Sequence, residues 1–187
     1  MNQNTVTTQT ILYILVEGKA DKKFLTTIFV GKTFDVHTFL GSQNLLTKSA
    51  SFAYQHRKEF ILVLADTDSS LEEAILQKNE DYQDFGYFTD ERHRLAFFVP
   101  EMEIVFCKEK YILEKIIGTK ISEVDHVKAQ YEPKKTLLRL LQLNNADSLV
   151  EICLSRLDEN DFAFMRDNIE PLTQVQQFLE YAATEQK

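Results

Sequence analysis

The chain predicts an α/β fold: a Rossmann-like parallel sheet of about four strands with helices on both faces, then a helical extension. Three observations predict it. The stretches 11–16 (ILYILV), 60–65 (FILVLA) and 95–99 (LAFFV) are continuously apolar, which suits strands buried on both faces of a covered parallel sheet. The segments between them carry helical spacing. Strand and helix patterns alternate four times and no strand pattern follows residue 118, the order expected of a doubly wound sheet.

In chain order, the polar start 1–10 (MNQNTVTTQT) lacks the basic and apolar parts of a signal peptide and reads as a disordered tail. Residues 11–16 form the first strand. Ala20, Phe24, Leu25, Ile28 and Phe29 then recur at helical spacing, with Gly31 placed as a C-terminal cap. Residues 34–40 are mixed and suit a strand nearer the edge, and Ser42 opens a helix over 42–57. After the 60–65 strand a third helix spans 70–80, and 95–99 completes the sheet. Residues 101–118 predict one helix with glutamates in its first turn and Gly118 at its end. Pro133 starts a helix over 133–143 at the position proline favours, and 147–157 and 171–184 also read as helices. The expected division is an α/β domain over 11–118 and a helical extension over 119–187 packed on it.

The chain has 187 residues, a net charge of −8 and two cysteines. That length suits one sizeable domain. Cys107 and Cys153 have no CxxC partner, and the four histidines show no metal spacing. No apolar run approaches the roughly 20 residues of a membrane helix, so the expected setting is cytoplasmic and away from membranes. Phosphate-backbone affinity comes from clustered Lys and Arg. An acidic chain that meets a phosphodiester therefore needs a divalent cation, or a partner's basic surface, to offset its carboxylates.

Those carboxylates are placed suggestively. Ligands of open parallel sheets gather at the carboxyl ends of the strands. The first strand ends in Glu17-Gly18, the third in Asp66-Thr67-Asp68, and the fourth runs into Glu101 and Glu103. Brought to one edge, these acids repel one another and their pKa values rise, a conflict that a hard, oxygen-loving cation relieves. Taken singly, Asp66 also suits an Asx turn, Asp68 a helix cap, Glu17 a loop, and Glu101 and Glu103 a helix start.

The pairing of LVEGKADKKFL with DTD about 50 residues later resembles the Toprim domain of topoisomerases, bacterial primases, maturase-type ribonucleases and OLD-type nucleases, and is most similar to the last two. The likeness covers residues 11 to about 105. It implies that Glu17 is a metal ligand or general acid/base and that Asp66 and Asp68 hold Mg²⁺ (or Mn²⁺). PEMEIVF, EPKKTLLRLL and NDFAFMRDNIEPLTQVQQFL further resemble stand-alone Toprim-like bacterial proteins that accompany an ATPase in defence-type gene pairs, which implies an ATPase partner. Topoisomerase and primase versions carry glycine where this chain has Leu71, and none of the seven tyrosines stands out as a strand-passing nucleophile. The expected activity is therefore nuclease-like phosphodiester chemistry on DNA or RNA.

In that chemistry Glu17 orients or deprotonates the attacking water and Lys19 assists at the phosphate. Glu103, with Glu101 behind it, completes a second ion site. Gly18, Lys19 and Lys135 are the phosphate-binding candidates, ahead of Lys22, Lys23, Lys134 and Arg139. Asp21 is either a first-turn helix acid or an outer partner of the ion. A receiver domain wants paired acids after the first strand. A DxD glycosyltransferase leaves Glu17 without a role. The rival reading is a catalytically weak Toprim-like scaffold that regulates an ATPase.

Overall fold

The computed structural model describes residues 11–86 and 91–185; the expected tail, 1–10, lies outside them. Strands β1 (Leu12–Val16), β2 (Asp35–Thr38), β3 (Phe60–Asp66) and β4 (His93–Phe98) form a four-stranded sheet in the order β2-β1-β3-β4. Every pairing is parallel. The mixed strand β2 takes an edge, and the run FILVLAD takes an interior position, as composition predicts.

Alternate strand residues serve two cores. Ile14, Val16, Leu62, Leu64, Ala96 and Phe98 pack under Phe24, Leu25 and Ile28 of α1 (Lys19–Ile28) on one face. Leu15, Ile61, Val63 and Ala65 meet Leu45 and Ala53 of α2 (Ser42–Gln55) on the other. There they also meet Tyr82, which follows α3 (Glu72–Asp81), and Phe85 of α4 (Gln83–Gly86). The period-2 alternation of strand side chains produces both layers.

The region 101–118 departs from the expected single helix. It forms a buried 3-10 turn, Met102–Phe106, and then α5 (Lys110–Ile117). All five residues of the turn are buried, whereas a surface α-helix buries only a stripe. The chain breaks at Cys107, whose carbonyl is taken up by Gln130 Nε2 and lies 3.1 Å from Nε2 of His126. Gly118 closes α5 at φ 84° and donates its N–H to Glu114 O at 2.8 Å. Gly118→Ala should lower unfolding free energy by about 1–2 kcal/mol, the cost of left-handed backbone for a residue with Cβ, as read by urea denaturation.

Beyond Gly118 lie α6 (Glu123–Tyr131), α7 (Pro133–Leu140), α8 (Leu149–Ser155), α9 (Glu159–Asn168) and α10 (Leu172–Glu185). Pro133 opens α7 as expected. The helices α6 and α9 escape an apolar-periodicity reading. Val124, Val127 and Tyr131 of α6 face outward and only Ala129 is buried. Capping identifies both instead: Ser122 Oγ accepts the Asp125 N–H, and the Asp158 carboxylate accepts those of Asn160 and Asp161. The extension shares the strand core, since Leu137, Cys153, Met165, Val175 and Phe178 belong to the same buried cluster as Ile14 and Leu62. The cap of α2 also differs from expectation. Gly41, at φ 119°, precedes the helix with its N–H donated to Glu17 O at 3.0 Å, and Ser42 is the first helical residue.

Candidate metal and phosphate site

Because β1 and β3 are parallel neighbours, Glu17 and Asp66 leave the sheet on the same rim. Glu17 Oε1 accepts the backbone N–H of Asp66 at 3.4 Å. Glu17 is half-buried. Its pKa is raised by burial first, with the charges of Asp68 and Asp21 adding to the rise, against relief from the Asp66 N–H and Lys78. Asp66 is pushed well above the ordinary aspartate range by burial and then by Asp21, Glu17, Glu103 and Glu101. The expected mutual repulsion on one rim is thus present. Asp66 is its focus, and its carboxylate takes no hydrogen bond from the described residues.

The turn after Asp66 is held by backbone. Thr67 N–H donates to Phe98 O at 3.0 Å and Asp68 N–H to Pro100 O at 2.8 Å, which extends the β3–β4 seam past the strands. Thr67 Oγ1 donates to Ser69 O at 2.7 Å. Asp68 sits at φ 60°, a conformation aspartate tolerates better than most residues. It does not cap α3: Leu71 precedes that helix at φ −75°, and its N–H goes to Ser69 Oγ at 3.2 Å. Leu71 therefore occupies backbone that requires no glycine. The Asp68 carboxylate is exposed and pairs with Lys78 Nζ at 3.2 Å.

Glu101 and Glu103 reach the rim from the β4 side and are gathered there by the extension. Lys134, at the start of α7, donates its backbone N–H to Glu101 Oε1 at 2.9 Å. Its Nζ lies 3.5 Å from Glu101 Oε2 and 3.4 Å from Glu103 Oε1. Both acids expected at a second ion site therefore already share one ammonium. Burial works against the charge on Lys134, but Glu103 and Glu101 outweigh it and hold its pKa above the ordinary value. Glu103 is buried, and its desolvation outweighs that single ammonium, so its own pKa is still raised. Lys134→Met should cost about 1–3 kcal/mol. That is less than a fully buried pair because 41% of the Lys134 side chain is exposed. The loss should grow as pH rises through the raised pKa of Glu103, measured by denaturant titration at several pH values.

The phosphate candidates fare unequally. The Gly18 N–H is already engaged, donating to Asp21 Oδ2 at 2.7 Å, so Asp21 caps α1 as the first-turn reading holds. Burial still raises the Asp21 pKa, and Lys134 is among the groups that lower it. Lys19 is exposed at the start of α1, in no ion pair among the described residues. Lys22 Nζ donates to Val36 O at 3.2 Å. Lys135 pairs with Glu132 at 2.9 Å, and Arg139 with Asp125. Lys135 also lines a cleft of about 450 Å³ beside the rim, with Asp68, Glu101 and Lys134.

Sequence reasoning passed over Tyr82. Its ring is buried against Phe97, with centroids 6.0 Å apart. Its hydroxyl is buried with no hydrogen-bond partner among the described residues. Burial first, then the charges of Glu17, Asp66 and Asp68, push its pKa upward, so the hydroxyl stays protonated beside the rim. Nothing in the local pattern around residue 82 signals this, because the sheet and the α3–α4 corner bring it there.

Among the described residues, no three His, Cys, Asp or Glu side chains form a ready ligand group. The donor chemistry nevertheless fits a hard divalent ion. The charges that press on Asp66 are all carboxylates, their repulsion is relieved by positive charge, and the Tyr82 hydroxyl, without a partner among the described residues, lies beside them. Mg²⁺ keeps several waters and uses one or two carboxylates plus substrate phosphate, so a closed protein cage is not required. Comparison with protein-family models, with curated proteins and with solved structures finds no match to this chain.

Proposed function

We propose that the chain performs Mg²⁺- or Mn²⁺-dependent phosphodiester chemistry on nucleic acid, nuclease-like in kind, at the Toprim-like rim formed by Glu17, Asp66 and Asp68. The observation that supports it most is the meeting of Glu17 and Asp66 across the β1–β3 seam, 3.4 Å from Oε1 to N, with both carboxyls raised in pKa. When bound, the ion supplies polarisation of the phosphoryl oxygen and stabilisation of the charge developing there. Asp66 would hold it, with Asp68 joining once Lys78 swings aside. Glu17 takes the proton of the attacking water on a carboxylate oxygen. Its raised pKa brings it closer to the ideal for a general base working near neutrality. Lys19, in no ion pair among the described residues, meets the incoming phosphate at the head of α1, and Tyr82 supplies an O–H to an oxygen in the same space.

A second reading draws on a specific observation. Lys78 already pairs with Asp68, and Lys134 is shared between Glu101 and Glu103, which suits a scaffold that regulates an ATPase without turnover. A nuclease assay separates the two. Single- and double-stranded DNA and RNA are incubated with Mn²⁺, with Glu17→Gln purified in parallel to expose contaminating nuclease. Cleavage lost in the variant supports the enzyme, and equal residual cleavage in both supports the scaffold. No helix of the described residues is long and apolar enough to cross a membrane.

A further inference from the structure

The cleft beside the rim has two unlike walls. One carries Asp68 and Glu101, with Pro100 between the strand end and the turn. The other is the α6–α7 corner, with Tyr131, Glu132, Lys134, Lys135 and Leu138. Its volume of about 450 Å³ falls in the range of small-ligand pockets. Tyr131 is 64% exposed, an aromatic ring held at a cleft mouth rather than in a core. Lys135 lies four residues on, across the Glu132 break between α6 and α7, and its ammonium pairs with Glu132 at 2.9 Å.

This combination discriminates between nucleic-acid forms. A duplex offers a protein wall its phosphates and sugars and keeps its base faces stacked inside. A single strand offers base faces to aromatic and apolar side chains, and phosphates to the cations beside them. A chain of net charge −8 also repels the doubled phosphate density of a duplex more strongly than that of a single strand. Lys134 is committed to Glu101 and Glu103, whereas the Lys135–Glu132 pair is solvent-exposed, so Lys135 can exchange Glu132 for a phosphate at little cost.

We propose that the cleft between the strand-end rim and the α6–α7 corner is a groove for single-stranded nucleic acid, in which one base stacks on Tyr131 against Leu138 and Pro100 while the adjoining phosphate lies on Lys135. It deepens the phosphodiesterase reading and rests on it, since the strand so held runs from Tyr131 toward Asp68 and Asp66. The exposed residues Val124 and Val127 continue the Tyr131 face of α6. A protein seated on that stripe instead would leave strand binding indifferent to Tyr131.

The test uses the full chain carrying Glu17→Gln, so that the strand is not consumed, with Mg²⁺ present. Fluorescent 2-aminopurine oligonucleotides are titrated as single-stranded DNA, single-stranded RNA and duplex DNA. The groove predicts that the single strands bind with a change in 2-aminopurine emission and the duplex binds at least tenfold more weakly. Adding Tyr131→Ala should weaken single-strand binding about tenfold and remove the emission change, the scale of one lost base–aromatic stack. Tyr131→Phe should restore both, because stacking needs the ring and not the hydroxyl. Lys135→Gln should weaken DNA and RNA alike and flatten the salt dependence. Equal binding by Tyr131→Ala, a duplex bound as tightly as single strands, or no strand bound at all overturns the groove. Thermal stabilisation by Mg²⁺ that depends on Asp66 is read on the same samples. If it persists while the groove fails, the rim reading stands alone; if it is absent as well, both fall.

Discussion

Asp66→Asn is expected to make the metal-free protein at least as stable as the parent at pH 7–8 and to erase its response to Mg²⁺. The sign follows from the direction of the shifts. Glu17, Asp21, Asp66 and Glu103 all have pKa values raised in the folded chain. Above the unfolded values, about 4, the native state holds protons that the unfolded state has released. Stability is therefore fully present below about pH 4 and is lost as pH rises through the raised native values. Asparagine removes the charge at the centre of the cluster and flattens that decline. In the parent, Mg²⁺ should counter the same decline and act more strongly at pH 8 than at pH 5. At one hundred times its dissociation constant, a ligand that binds only the folded state adds about 2.7 kcal/mol. For a chain of this size that is a rise of roughly 5–10 °C in Tm. Thermal scans with and without Mg²⁺ at three pH values measure all of it. A parent without a Mg²⁺ response, or an Asp66→Asn variant that keeps one, would count against the ion site.

Glu17→Gln should leave the fold and most of the metal-dependent stabilisation in place while lowering kcat about 10²- to 10⁴-fold. The amide oxygen still accepts the Asp66 N–H, so the β1–β3 rim keeps its spacing, but the side chain no longer takes a proton from water. The pH–rate profile separates this role from a structural one. In the parent, rate climbs through the raised pKa of Glu17 and then levels, because only the carboxylate acts as base. In the variant that acid limb disappears. An unchanged limb would assign the base elsewhere.

The sheet was legible because buried parallel strands are written as unbroken apolar runs, and 11–16, 60–65 and 95–99 are such runs. The sequence offered Glu17 and Asp66 as strand ends that converge if their strands are parallel neighbours; the β1–β3 pairing that brings them together is seen in the fold. What stayed hidden depends on contacts distant in sequence. The helix α6 turns its valines outward, so periodicity does not mark it. Met102–Phe106 is buried on every side and curls into a 3-10 turn rather than joining α5. Lys78 and Lys134 come to the rim from helices whose own patterns say nothing of their destination, and Lys134 proves more deeply engaged than Lys135. The Gly18 amide, a natural phosphate donor on paper, is taken by Asp21 three residues on.

Calorimetric titration of the metal-free protein with Mn²⁺ or Mg²⁺ near pH 6, in two buffers of different ionisation enthalpy, tests the central claim most directly. Burial and mutual repulsion leave these carboxyls more protonated than free acids at the same pH, and a bound ion displaces those protons. The expected result is saturable binding whose heat depends on the buffer, with both features gone in Asp66→Asn. Absence of saturable heat, or an identical isotherm from Asp66→Asn, would contradict the account.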